Sequence, residues 1–116
     1  MDSILSTIKA SPQLVTFEQV IEHINENYEF TPTRFTNGIG QNIVINEKGS
    51  NEGSLRIFSF ARLNNLTEEQ TLSCFGKYYR EDVLQNPDGD DHGNIRNFMR
   101  YGWSGISFDN NALVKK

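Results

Sequence analysis

Apolar residues recur along the chain at helical spacing in four places. Phe17, Val20, Ile21, Ile24 and Tyr28 form the clearest stripe, with Glu18, Glu22 and Glu26 on the opposite face. Thr16-Phe17-Glu18-Gln19 opens it with a capping-box pattern, in which the Thr hydroxyl and the Gln side chain satisfy two N–H groups reciprocally. Ile4, Leu5 and Ile8 mark a shorter helix beginning near Asp2 or Ser3 and broken at Ser11-Pro12. A second capping box, Thr67-Glu68-Glu69-Gln70, starts a helix whose inner stripe is Leu72, Phe75, Tyr79 and Val83. The turn formers Asn86-Pro87-Asp88-Gly89 end it. Ile95, Phe98 and Met99 predict a last helix beginning near Asp91 or His92 and closed by Gly102.

Between these stripes the pattern changes. Phe30 to Phe35 lacks helical periodicity and reads as an extended segment. Gly38 to Gly53 is polar and rich in Gly and Asn, with a β-prone Ile43-Val44-Ile45 inside it, either a hairpin arm or a loop. Leu55 to Leu63 fits both periods; its length and all-round apolarity favour a buried helix. The tail from Trp103 to Phe108 is expected to be extended and to pack its rings on the domain. The resulting fold class is mainly α: a single domain over residues 1–116 with about five helices. A small β-hairpin is allowed from residues 39–46 or from the C-terminal tail.

Composition narrows the function classes. The 116 residues include eight Phe, four Tyr and one Trp, so the core is expected to be built on rings. Fifteen acids against 11 bases give a net charge of −4, with no basic run beyond Lys115-Lys116. That disfavours nucleic-acid and membrane-surface partners, which are bound through Lys and Arg. No apolar run approaches the ~20 residues needed to span a bilayer. The N-terminus lacks the basic start and apolar stretch of a cleaved signal peptide, and a single Cys forms no internal disulfide. The expected state is a cytoplasmic monomer.

Candidate chemistry concentrates in Asn86 to Asn94, which holds three carboxylates, an imidazole and two glycines. Read as a calcium loop from Asp88, Gly93 falls at the sixth place, but His92 takes the fifth and Met99 the twelfth, where oxygen ligands are needed. A capped turn between helices is the better reading. His23, on the second helix between acids, reads as solvated, and no His/Cys spacing suits a transition metal; no metal and no cofactor are expected. Cys74 lies in an amphipathic helix and reads as core. His92 beside Asp91 is a weak general-base pair, and Gly38-Ile39-Gly40 is not a phosphate loop. Whether the chain is an enzyme stays open.

Two surfaces remain. On the last helix Asn94, Asn97 and Tyr101 share one stripe and Arg96 and Arg100 the next, residue types that dominate protein-binding hot spots. The bland alternative pairs the arginines with Asp88, Asp90 or Glu81 and leaves Trp103 in the core. Separately, Asn37, Asn51, Glu52, Asp91, His92 and Asn94 lie outside the apolar stripes and would make a small-molecule site if their loops converged.

Several segments carry a family resemblance. Cys74 to Arg80, Asp82-Val83-Leu84, Asp91-His92-Gly93-Asn94-Ile95-Arg96-Asn97-Phe98-Met99 and Gly102-Trp103-Ser104-Gly105-Ile106 resemble the HopJ type III effector family. Tyr28 to Gly38 and Asn51-Glu52-Gly53-Ser54 are also similar to it. The resemblance implies a bacterial protein delivered by type III secretion into a host cell, and it brings no catalytic residue with it. The leading expectation is a module binding an unidentified protein partner. The alternative is a resident cytoplasmic small-molecule-binding domain or enzyme using the Asp91/His92 cluster.

Overall fold

Both capping boxes form. Thr16 Oγ1 accepts from the Gln19 N–H and Gln19 Oε1 accepts from the Thr16 N–H, each at 3.1 Å. Thr67 and Gln70 repeat the exchange at 3.0 and 2.9 Å. The computed structural model describes residues 4–116, so the proposed caps Asp2 and Ser3 lie outside the described residues. The helices are α1 (Ile4–Ala10), α2 (Phe17–Asn27), α3 (Glu52–Leu63), α4 (Glu68–Ser73) and α5 (Gly93–Tyr101), with a π-helical segment at Tyr78–Val83. Five three-residue strands accompany them: β1 (Tyr28–Phe30), β2 (Phe35–Asn37), β3 (Val44–Asn46), β4 (Ile106–Phe108) and β5 (Leu113–Lys115).

The strands make two antiparallel sheets. β2 lies between β3 and β4, with Thr36 opposite Ile45 on one side and Ser107 on the other. β1 pairs with β5, setting Tyr28 opposite Lys115. Ile43-Val44-Ile45 therefore belongs to a hairpin arm, and both regions allowed a β role are strands. The β content exceeds one hairpin because short pairings close the gaps between helices, using local extended stretches too brief to show a period.

α3 is the central element. Leu55, Ile57, Phe58, Ser59, Phe60 and Ala61 are all buried, which explains its apolar character on nearly every side. Phe58 is the hub. Its ring meets Phe98 at 5.0 Å, Phe75 at 5.4 Å, Phe35 at 6.1 Å and Trp103 at 6.4 Å between centroids. Each such pair adds about 0.5–1.5 kcal/mol to the area it buries, so this cluster joins α3, the turn after α4, α5 with the turn that follows it, and β2 into one core.

Five expectations are corrected. The tail is extended only from Ile106 onward, because Gly102–Gly105, with Trp103 inside it, forms a 3-10 turn that continues from the end of α5. The helix opened by Thr67 is not continuous: α4 ends at Ser73, and Gly76 adopts φ +60 before the π-helical segment begins. An added Cβ at Gly76 would lie 2.7 Å from the Phe17 backbone nitrogen, so the close approach of α2 is what breaks the helix. Tyr28 completes the periodic stripe of α2 in sequence but belongs to β1. Met99 is 43% exposed, because the inner face of α5 is used by Ile95 and Phe98. His23 is half-buried, its ring edge-on to Phe60 at 5.6 Å. Cys74 is buried as expected, and burial pushes its thiol pKa up to about 12. Trp103 is half-buried, edge-on to Phe98 at 5.0 Å, with its indole N–H donating to the Leu66 carbonyl.

Candidate functional site

A cavity of about 480 Å³ opens where the starts of α3 and α5 meet the start of β3 and the π-helical segment. Phe17, Phe75, Tyr78, Val44 and Ile95 supply its apolar wall. Asn51, Gly53, Ser54, His92, Gly93 and Asn94 supply the rest. Its size lies in the range of small-molecule sites, which pair apolar lining with a few placed polar groups. The rings form a connected panel, Phe17 stacking on Phe75 at 6.4 Å and meeting Tyr78 edge-on at 5.3 Å.

The residues that begin the two helices share an uncommon backbone. Asn51 precedes α3 with φ 53, ψ 43, and His92 precedes α5 with φ 52, ψ 51, both left-handed and neither capping through its side chain. Non-glycine residues seldom hold this region, although Asn and His tolerate it better than most. Here the turn lifts both side chains out of their helices and toward the cavity. The first residues of α3 and α5, whose N–H groups have no carbonyl partner within their own helices, contribute Gly53, Ser54, Gly93, Asn94 and Ile95 to the same lining.

His92 is held by a residue ten positions upstream. Its Nε2 lies 3.0 Å from Asp82 Oδ2, and the Tyr78 ring packs against the imidazole at 5.6 Å. Asp82 and Tyr78 both come from the π-helical segment, a conformation that is rare and often found at functional sites. Asp91, the expected partner, is 3.9 Å from His92 Nε2 and is engaged elsewhere. Arg96 Nη2 donates to Asp91 Oδ1 at 2.7 Å, its Nε donates to the Asp91 carbonyl at 2.6 Å, and its Nη1 donates to the Asn86 carbonyl at 3.0 Å. The hydrogen bond from Arg96 holds the Asp91 carboxyl below the usual carboxylate range. Asp91 and Arg96 thus clamp the turn that delivers His92. Arg96 pairs with Asp91 rather than with Asp88, Asp90 or Glu81.

A second layer is built of asparagines. Asn94 is 7% exposed: Asn37 and Asn46 donate to its Oδ1 at 3.1 Å each, and its Nδ2 donates to Asn46 Oδ1 at 2.8 Å. Asn51 Nδ2 donates to the same Asn46 oxygen at 2.7 Å. Asn97 Nδ2 donates to the carbonyls of Asn37 and Asn42, and Asn42 donates to the Tyr101 hydroxyl at 2.9 Å. The stripe Asn94, Asn97, Tyr101 is therefore a seam fastening the β2–β3 hairpin onto α5. Arg100 stays exposed, with its guanidinium 5.9 Å from the Tyr101 ring centroid.

Of the predicted small-molecule residues, Asn51, His92 and Asn94 line the cavity, Asn37 lies behind Asn94, and Glu52 and Asp91 are not in the lining. Phe17, Ser54, Phe75, Tyr78 and Asp82 were missed. Two of these, Phe17 and Phe75, were read as members of apolar stripes, and Gly76 inside the expected helix is the signal that could have marked the segment after it as irregular. Among the described residues, no group of three or more His, Cys, Asp or Glu is placed to hold a metal ion. No helix among them is long and apolar enough to cross a membrane.

The structure described as "Crystal structure of unknown function protein VPA0580" is similar to this chain with 47% identity and a TM-score of 0.93, covering 100% of this chain and 95% of that one. No curated protein matches the chain. A family model described as HopJ type III effector protein matches residues 1–113. The chain belongs to the HopJ type III effector family.

Proposed function

We propose that this chain is a small-molecule-binding domain whose ligand occupies the cavity between the starts of α3 and α5. The observation that carries this reading is convergence. Residues distant in sequence, Phe17, Asn51, Tyr78 and His92, line one concavity whose size suits a small organic ligand. Ring faces supply apolar area, while Asn51, Ser54 and His92 supply polar recognition. The protein-binding reading loses support because the asparagine and tyrosine stripe it relied on is engaged with the β2–β3 hairpin. Delivery into a host cell, which the family description suggests, is a separate proposal and is tested by translocation of a reporter fusion.

The test of ligand binding is a fragment screen on the uniformly ¹⁵N-labelled protein. Binding is expected to move the amide resonances of Asn51, Ser54, Gly93 and Asn94 together. Gly93→Leu should block it, because an added Cβ there enters open space, with Val44 Cγ2 at 3.9 Å as its nearest neighbour. Hits that shift residues scattered over the surface, or that bind Gly93→Leu equally well, would defeat the proposal.

A further inference from the structure

We infer that His92 is a proton acceptor within this cavity, positioned by Asp82, and that it takes ring-bearing ligands with an acidic hydroxyl such as a phenol or enol. The inference rests on the ligand-binding reading above and deepens it. A carboxylate can only accept hydrogen bonds, so Asp82 Oδ2 at 3.0 Å from Nε2 selects the neutral tautomer that carries its proton on Nε2. Nδ1 then holds a lone pair. No described residue bonds to Nδ1, and His92 lines the cavity. The rest of the His92 surroundings restrain the ring and do not compete for its lone pair. Tyr78 packs on one side, Asp91 is occupied by Arg96, and the left-handed backbone at φ 52 sets the direction of the side chain.

The panel of Phe17, Phe75 and Tyr78 makes the ligand class a ring. The acceptor makes its reactive group a hydroxyl acidic enough to give its proton to a neutral imidazole. In the transfer the ligand O–H bond breaks and an Nδ1–H bond forms. The electron pair stays on the ligand oxygen as phenolate or enolate. The resulting imidazolium sits between that anion and the Asp82 carboxylate. His92 is the group that touches the ligand, while Asp82 acts through it as a positioning residue.

The probe is para-nitrophenol, whose ionised form is yellow and whose neutral form is not. Wild-type protein in excess is titrated with pH while absorbance and amide shifts are followed together. Expected is binding at the cavity residues with the ionisation equilibrium of the bound phenol favoured by about tenfold or more over the free probe, as an adjacent cation produces. His92→Asn keeps a residue that tolerates the left-handed backbone but holds no proton. It should bind the probe more weakly and lose the shift, while fragments that do not engage His92 still bind the cavity. In Asp82→Asn, ¹⁵N shifts of the His92 ring should show the tautomer preference lost and the ionisation shift reduced, with binding retained.

Binding of the probe without enhanced ionisation would overturn the proton-acceptor inference and leave the cavity reading intact. Failure of wild type to bind the probe at all, when the fragment screen finds other cavity ligands, would overturn the ligand class. An Asp82→Asn variant with the wild-type tautomer and ionisation shift would remove Asp82 from its role.

Discussion

Replacing Asn94 with Ala tests whether the asparagine layer holds the β2–β3 hairpin against α5. Three side-chain hydrogen bonds disappear, two to Asn46 and one from Asn37. Some bonds survive: Asn37 Nδ2 keeps the Asn94 carbonyl at 2.8 Å, and Asn46 Oδ1 keeps Asn51 at 2.7 Å. The group left short is Asn46 Nδ2, whose other contacts, to the Phe35 and Val44 carbonyls, are both long at 3.4 Å. A buried donor without a good partner costs about 1–3 kcal/mol, and each lost net bond about 1 kcal/mol. The two together predict a loss of roughly 2–3 kcal/mol, since the desolvation cost already contains part of the lost bonding. Urea denaturation of wild type, Asn94→Ala, Asn46→Ala and the double variant reads this directly. The cycle should show coupling of about 1 kcal/mol or more, because both residues serve the same bonds. A single-variant loss below about 0.5 kcal/mol, or strict additivity of the two, would refute the layer as a fastening.

Three further outcomes are expected. Gly76→Ala forces a side chain at φ +60 and a Cβ 2.7 Å from the Phe17 backbone nitrogen; it should cost more than about 2 kcal/mol by chemical denaturation, and an unchanged midpoint would contradict the close approach of α2. Cys74, with its thiol pushed up to about 12 by burial, should react with a thiol reagent at mildly alkaline pH only after denaturant is added; rapid labelling of the native protein would count against its burial. Arg96→Ala should return the Asp91 carboxyl to the ordinary range, read by NMR titration. Because the folded value of Asp91 is depressed, its contribution is present above the unfolded pKa and is lost as pH falls through the folded one. The acid limb of the stability profile should therefore flatten in Arg96→Ala, and an unchanged Asp91 titration would exclude Arg96 as the cause.

Helix starts were legible wherever a local exchange sets them, as at Thr16 and Thr67, since four consecutive residues contain all the chemistry involved. α3 was legible from its length and its lack of a polar face. The strands were less so, because three residues of β2 or β4 cannot display alternation. The candidate site was half legible. Asn51, His92 and Asn94 stood out as polar residues in turns, and they do line one cavity. Helical spacing also placed Asn94, Asn97 and Tyr101 on one stripe, correctly, but spacing does not say what covers a stripe. The polar segment after Gly38 read equally well as a hairpin arm or a loop, and its composition did not show that it folds against α5, where Asn97 donates to the Asn37 and Asn42 carbonyls. The Asp82–His92 pair was beyond reach for a different reason. Counting by 3.6 residues fails across a segment that winds more slowly, so neither Tyr78 nor Asp82 could be assigned a side.

That slower winding at Tyr78–Val83 ties the chemistry of the pocket to chain length as well as residue identity. An α-helix turns about 100° per residue, so excising one peptide unit here without a compensating change of pitch would swing everything beyond it by an angle of that order. Asp82 would then face away from the imidazole with every side chain of the motif still in place. A homologue carrying such a deletion would keep the letters of the site and lose its alignment, making length across this stretch a sharper marker of shared chemistry than identity at the two partners.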